Sequence, residues 1–256
     1  MTGPHIPRKA LNMKFAKKLS PVAMAAMLAA TLSACGGGSS GSSASTTPVT
    51  TSFPVQQALA YAFTHGMQAN LAITGTATSG ALSYPVTGTL SYALGMASNT
   101  TFEGAAAQQA TENLNASVVV NGVSQPISTS STLIVNAQYA PIGDRTSDSY
   151  CVASGTPSYP ATATVGQSGD IVTMNCYTDS TKRTLVNTEK LSYVAAAGSD
   201  ANTLNFQMVT TDFGLTSTPQ SSVTITYAVS TAGVPKLIRV QATQTESGVT
   251  VTLDAK

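Results

Sequence analysis

The chain, 256 residues long, is predicted to be mainly β: an antiparallel meander of roughly ten strands forming a curved sheet or barrel, preceded by one short helix. Three observations carry this. Beyond Gly66, apolar residues recur at every second position, the period of a strand with one packed face and one wet face. Gly, Asn, Asp and Ser pairs interrupt these runs, as turns between consecutive strands do. Thr and Val fill the runs themselves, and their β-branched side chains suit a pleated surface.

The helix comes first. Val55, Ala58, Leu59, Ala62 and Phe63 fall at helical spacing, Pro54 stands near the first turn and Gly66 follows the end, the usual asymmetry of proline at the start and glycine past the finish. The alternation of Leu59, Tyr61 and Phe63 would also suit a strand. Next, Thr74-Gly75-Thr76 and Thr87-Gly88-Thr89 flank Ser79-Gly80 and read as two arms of one hairpin, each central glycine marking a bulge or tight bend. Asn121-Gly122, between Val118-Val119-Val120 and Val123, is the strongest hairpin signal, because both residues tolerate the positive φ of a type I′ turn. Ala105, Ala107, Ala116, Val118 and Val120 are assigned to the inward face; their small size lets sheet layers approach instead of holding a ligand apart.

Later strands alternate more openly. Leu204, Phe206 and Met208 form one apolar row, Val223, Ile225, Tyr227 and Val229 a second, and Val249, Val251 and Leu253 a third. Turns are expected at Gly143-Asp144, Ser168-Gly169-Asp170, Gly198-Ser199-Asp200, Gly214, Ala232-Gly233 and Ser247-Gly248. The chain thus divides into a signal peptide over 1–34, a flexible Gly/Ser/Thr linker over 35–52 and one β domain over 53–256.

That division rests on the first fifty residues. Lys14, Lys17 and Lys18 precede an uncharged run from Pro21 to Leu32, followed by small residues Ser33 and Ala34, the three parts of a secretory signal. The run of about a dozen residues falls well short of the roughly 20 that span a bilayer as a helix, so cleavage is expected and a permanent anchor is not. Met13-Lys14-Phe15 opens the pattern, which makes Met13 the expected true start. Gly36 to Ser52 is almost wholly Gly, Ser, Ala and Thr, a tether with an r.m.s. reach of about 20–25 Å.

Leu32-Ser33-Ala34-Cys35 after such a run resembles the lipobox of bacterial lipoproteins, over Met13 to Cys35 only. The resemblance implies a diacylglycerol on the Cys35 thiol, cleavage before Cys35 and acylation of the new amino terminus, so that the protein meets the membrane through acyl chains. Gly36 in place of Asp implies sorting to the outer membrane; the lipid-anchored domain is expected to face the periplasm, with exposure at the cell surface as the alternative. The mature chain as a whole is similar in build to uncharacterised Gram-negative envelope lipoproteins, and that resemblance implies no activity.

Charge narrows the partners. Five of the 12 Lys and Arg residues precede Cys35 and all 11 acidic residues follow it, so the mature chain has seven basic against eleven acidic residues, a net charge of −4. Such a chain has no basic footprint for nucleic acid or anionic lipid surfaces. With Cys35 acylated, Cys151 and Cys176 are the remaining thiols in an oxidising compartment and are expected to pair as a structural disulfide around a turn-rich segment that buries little.

No catalytic signature stands out. His65 is the only histidine beyond Cys35 and is expected to end the helix, where a cation favours the dipole. The Gly37-x-Ser39-x-Gly41 match to a nucleophile elbow lies in the tether and joins no strand to a helix. Asp144, Asp148 and Asp170 stand in turn-like contexts, where carboxylates make local bonds to backbone, and no acidic cluster or histidine set has metal-ligand spacing. The expectation is therefore no enzyme, no cofactor and no metal. Two non-enzymatic classes remain, with a hydrolase the least favoured alternative: a non-catalytic interaction or structural module with an envelope protein as partner, and a carrier of a lipid or other hydrophobic ligand in the manner of half-barrel lipoprotein acceptors. The shortage of large inward apolar residues favours the first.

Overall fold

The computed structural model describes residues 51–256; the expected signal segment, Cys35 and nearly all of the tether lie outside the described residues. The helix is present as α1 (Val55–His65), with Pro54 at its N-cap and Gly66 at φ 73° past its end. Thirteen strands follow: β1 (Met67–Ser79), β2 (Leu82–Leu94), β3 (Ser98–Phe102), β4 (Ala105–Val120), β5 (Val123–Val135), β6 (Pro141–Arg145), β7 (Tyr150–Ser154), β8 (Ser168–Tyr177), β9 (Leu185–Ala197), β10 (Thr203–Asp212), β11 (Ser221–Ser230), β12 (Pro235–Glu246) and β13 (Val249–Ala255). The count exceeds the expected ten because β3, β6 and β7, at five residues each, are too short to show an alternating run.

Pairing is antiparallel throughout. From β4 to β13 each strand pairs with the next, β13 returns to β1, and β2 passes over β3 to pair with β4, so the sheet closes in a ring. β3 pairs only with the start of β4 and stands outside that ring. The two arms read around Ser79-Gly80 are β1 and β2, with Thr74 opposite Thr87. Asn121 and Gly122 turn β4 into β5 at φ 49° and 75°, the positive values that a type I′ turn demands.

Parity sorts the side chains. Leu204 and Phe206 on β10, Val223, Ile225 and Tyr227 on β11, and Val251 on β13 are buried on the inner face, as the period-two rows require. Twelve of the thirteen strands form the ring, more than the eight or so whose own side chains fill the interior. The space is taken up by α1, whose Leu59, Ala62 and Phe63 line one small cavity together with Tyr92, Leu133, Val135 and Ile225, and by the β7–β8 connection. There Tyr159 and Ala163 are buried, and Ala163 exchanges two 2.9 Å backbone hydrogen bonds with Phe53. The segment between the two cysteines was expected to bury little; it supplies part of the core instead.

Two inward assignments are corrected. Ala105 is exposed, and Ala107 packs with Phe102, Ile134 and Tyr150 in a small core on the outside of the ring; Ala116, Val118 and Val120 sit on the opposite parity and do face inward. That outer core fastens β3 down: the Phe102 ring lies 5.5 Å from that of Tyr150, and the Arg145 guanidinium lies 5.3 Å from both ring centres. Tyr150 donates a 2.6 Å hydrogen bond to Glu103, which also takes an ion pair from Lys182.

Gly75 and Gly88 mark close approach and not bulges. Register is continuous through both, and a Cβ would stand 2.1 Å from the Thr252 carbonyl oxygen at Gly75 and 2.0 Å from that of Ser117 at Gly88. The neighbouring strand lies closer there than a side chain permits.

Candidate functional site

The inner face is apolar near α1 and acidic further along. Glu112 on β4, Asp144 on β6, Glu189 on β9 and Asp212 on β10 are each at most 4% exposed. Among the described residues no Lys, Arg or His is buried with them. Glu112 and Glu189 stand on the parity that elsewhere carries apolar residues, Glu112 two residues after Ala110 and Glu189 two before Leu191, while Asp212 follows the buried Thr210.

Register explains how they meet. On the inner face Leu133 lies opposite Asp144, Asp144 opposite Cys151, Cys151 opposite Cys176 and Cys176 opposite Asn187. Asn187 then bridges two acids, its Nδ2 donating to Glu189 Oε1 at 2.9 Å and to Asp212 Oδ1 at 3.2 Å. Asp212 Oδ1 also accepts from the Gly214 N–H at 2.7 Å. At the α1 side, the Tyr92 hydroxyl is hydrogen-bonded to both Glu112 and Tyr227.

Burial dominates the electrostatics. It pushes the Glu112 carboxyl up to about 8, with the Asp144 charge adding and the Tyr92 hydrogen bond opposing. Glu189 is likewise pushed up to about 8 by burial, then by Asp144 and Asp212, against the Asn187 bond. Both carboxyls therefore carry protons at neutral pH. Glu112 Oε2, Glu189 Oε2 and the hydroxyl of Ser131, which lies opposite Glu112, have no hydrogen-bond partner.

Two spaces adjoin this row. Under α1 is a cavity of about 60 Å³ walled by Leu59, Phe63, Tyr92, Glu112, Met208 and Tyr227. At the opposite end a polar pocket of about 280 Å³ opens between Asp212, Gln220, Ser221, Gln244 and Glu246. Two of these buried carboxyls, Glu112 and Glu189, hold protons; Glu189 also lies with Cys151 and Cys176 in a group whose ligand atoms are within 4.8 Å of one another.

Several expectations change. Asp144 was placed in a turn; it lies in β6 with its side chain fully buried. Asp170 lies in β8 and pairs with Lys190 at 2.8 Å. Asp148 does sit in the β6–β7 turn. Local carboxylate bonds to turn N–H groups occur instead at Asp179, Asp200 and Asp212. The four buried acids lie on four separate strands and were not anticipated as a row. His65 ends α1 in the open, its Nδ1 3.1 Å from the Tyr61 carbonyl and 2.9 Å from the Thr64 hydroxyl, its ring stacked on Tyr61 at 4.1 Å. Cys151 and Cys176 are disulfide-bonded. Cys35, the expected lipidation residue, lies outside the described residues.

No protein-family model matches the chain, and no curated protein and no solved structure matches it.

Proposed function

We propose that this chain is a lipid-anchored envelope protein, held at the outer membrane by acyl chains on Cys35, whose ring serves as a non-catalytic interaction or structural module. One observation carries the reading. On the outer face Asn70, Ser91, Asn115 and Ser128 lie side by side across β1, β2, β4 and β5, all exposed, with Ser128 donating to Asn115 at 2.6 Å. Thr74, Thr76, Thr87, Thr89 and Ser117 extend this surface. It is uncharged and rich in hydrogen-bonding groups, where a ring standing in lipid would turn an apolar band outward.

The test is a photo-crosslinking residue at Ser91 or Asn115 in intact cells, with the same residue at Lys236 as comparison. A discrete adduct with an envelope component from the row alone is the expected result. No adduct from either row position defeats the reading. Mass spectrometry of the amino-terminal peptide checks the anchor, which must begin at an acylated Cys35.

The carrier reading draws on the cavity under α1. Its volume of about 60 Å³ is well below the ~150 Å³ that admits benzene, so a lipid would need α1 to leave the ring. Organic extraction of protein from its native envelope is expected to yield no lipid beyond the protein's own acyl chains; stoichiometric lipid favours the carrier.

A further inference from the structure

We propose that Cys151, Cys176 and Glu189 form a zinc site in the reduced chain, an alternative to the disulfide that the same two sulfurs make on oxidation. The two Sγ atoms and a Glu189 carboxylate oxygen all lie within 4.8 Å of one another, and all three residues are buried. Ligands about 2.0–2.3 Å from a tetrahedral Zn²⁺ stand about 3.3–3.8 Å apart, so on reduction the two sulfurs move apart from bonding distance while the carboxylate oxygen closes in. Glu189 Oε1 is engaged by Asn187 and Oε2 is buried without a partner, in a carboxyl that lies beside the two sulfurs. A buried carboxyl in that position is costly next to a disulfide. It is matched next to a dication.

The donor set selects the metal. Two thiolates and one carboxylate suit Zn²⁺ better than Ca²⁺ or Mg²⁺, which take oxygen ligands. Asn187, directly opposite Cys176, or a water completes the coordination. Binding forms two Zn–S bonds and one Zn–O bond and releases both thiol protons and the Glu189 proton. Oxidation instead requires a disulfide oxidant, which takes two electrons from the pair and is reduced to a dithiol. Because both cysteines are 0% exposed in the folded protein, the choice is made while the chain folds.

The experiment uses the full chain carrying Cys35→Ala, so that no other thiol competes. It is denatured, reduced and refolded anaerobically with Co²⁺ as a spectroscopic stand-in for zinc. The expected result is one Co²⁺ per chain, with a thiolate-to-cobalt charge-transfer band, the intense visible bands of tetrahedral coordination, and displacement by Zn²⁺. Glu189→Gln should weaken binding at least tenfold with an unchanged far-ultraviolet spectrum, and the disulfide-bonded protein should bind no Co²⁺ in this manner. A reduced chain that refolds without taking up Co²⁺ overturns the proposal. So does a reduced chain that fails to refold even with Zn²⁺ present, or a Glu189→Gln variant that binds as tightly as the parent.

Discussion

The Tyr92 hydroxyl is hydrogen-bonded to the Glu112 carboxyl inside the ring, with the two residues 1% and 2% exposed. This pair has a consequence for stability against pH. Burial raises Glu112 from its ordinary 4.5 to about 8, so over that interval the folded chain keeps a proton that the unfolded chain has lost. Stability from the neutral carboxyl is whole below about 4.5 and is lost as pH rises to about 8. Glu103, Asp179, Asp200 and Asp254 are held below their usual values, mainly by hydrogen bonds, and they act the other way: their contribution is lost as pH falls through the acid range.

For the disulfide-bonded protein, Tm should therefore be highest near pH 5 and fall by several degrees toward pH 8. Glu112→Gln should reduce that slope, leaving the share due to Glu189, which burial also raises to about 8, and exceed the parent at pH 8, since the amide cannot ionise. Calorimetry across the range checks both; an unchanged slope in the variant would show that Glu112 is not the group responsible.

Gly75→Ala and Gly88→Ala should each cost about 1–3 kcal/mol, because the new Cβ meets the carbonyl oxygen of a neighbouring strand, not a movable side chain. Gly104→Ala is the control: nothing lies within 4 Å of its Cβ, and only its φ of +78° is unfavourable, worth about 1 kcal/mol. Urea unfolding of the three variants decides. Losses at Gly75 and Gly88 no larger than at Gly104 would mean that the neighbouring strands yield to the new Cβ, so that close approach does not demand glycine there.

The oxidised protein should show no alkylatable thiol at Cys151 or Cys176 under denaturing, non-reducing conditions. Replacing both by Ala should cost on the order of 3.5 kcal/mol in the chain-entropy account, for a sequence separation of 25. A loss near zero would mean that the unfolded chain already holds these strands together.

The helix, the Asn121-Gly122 turn and the paired arms of β1 and β2 were all legible in the sequence, because each depends on residues close together in the chain. The acidic row was not. Glu112, Asp144, Glu189 and Asp212 come from four strands and meet only through register. One signal was available: an acid on the apolar parity of its strand, as with Glu189 two residues before Leu191. Two glycines hid the rest. Gly143 and Gly169 look like turn residues beside Asp144 and Asp170, yet both lie within strands. A Cβ on Gly143 would stand 2.3 Å from the Phe102 ring, and one on Gly169 would stand 2.9 Å from the Tyr193 ring. These glycines make room for aromatic side chains from elsewhere in the chain, a demand that local sequence does not express.

The contact between Phe102 and Gly143 can be tested as a pair. Phe102 is 3% exposed at the centre of the outer core, so Phe102→Ala should cost about 3 kcal/mol and loosen β3. Gly143→Ala should also destabilise, because its Cβ would stand 2.3 Å from Phe102 Cζ and 2.9 Å from the Cys151 carbonyl oxygen. Removing the ring relieves the first clash and leaves the second. The double variant should therefore be more stable than the sum of the single losses by about 1 kcal/mol, a coupling that urea unfolding of the four proteins resolves. Strict additivity would mean that the clash with Cys151 alone excludes a side chain at Gly143, and that the ring of Phe102 does not require glycine beneath it.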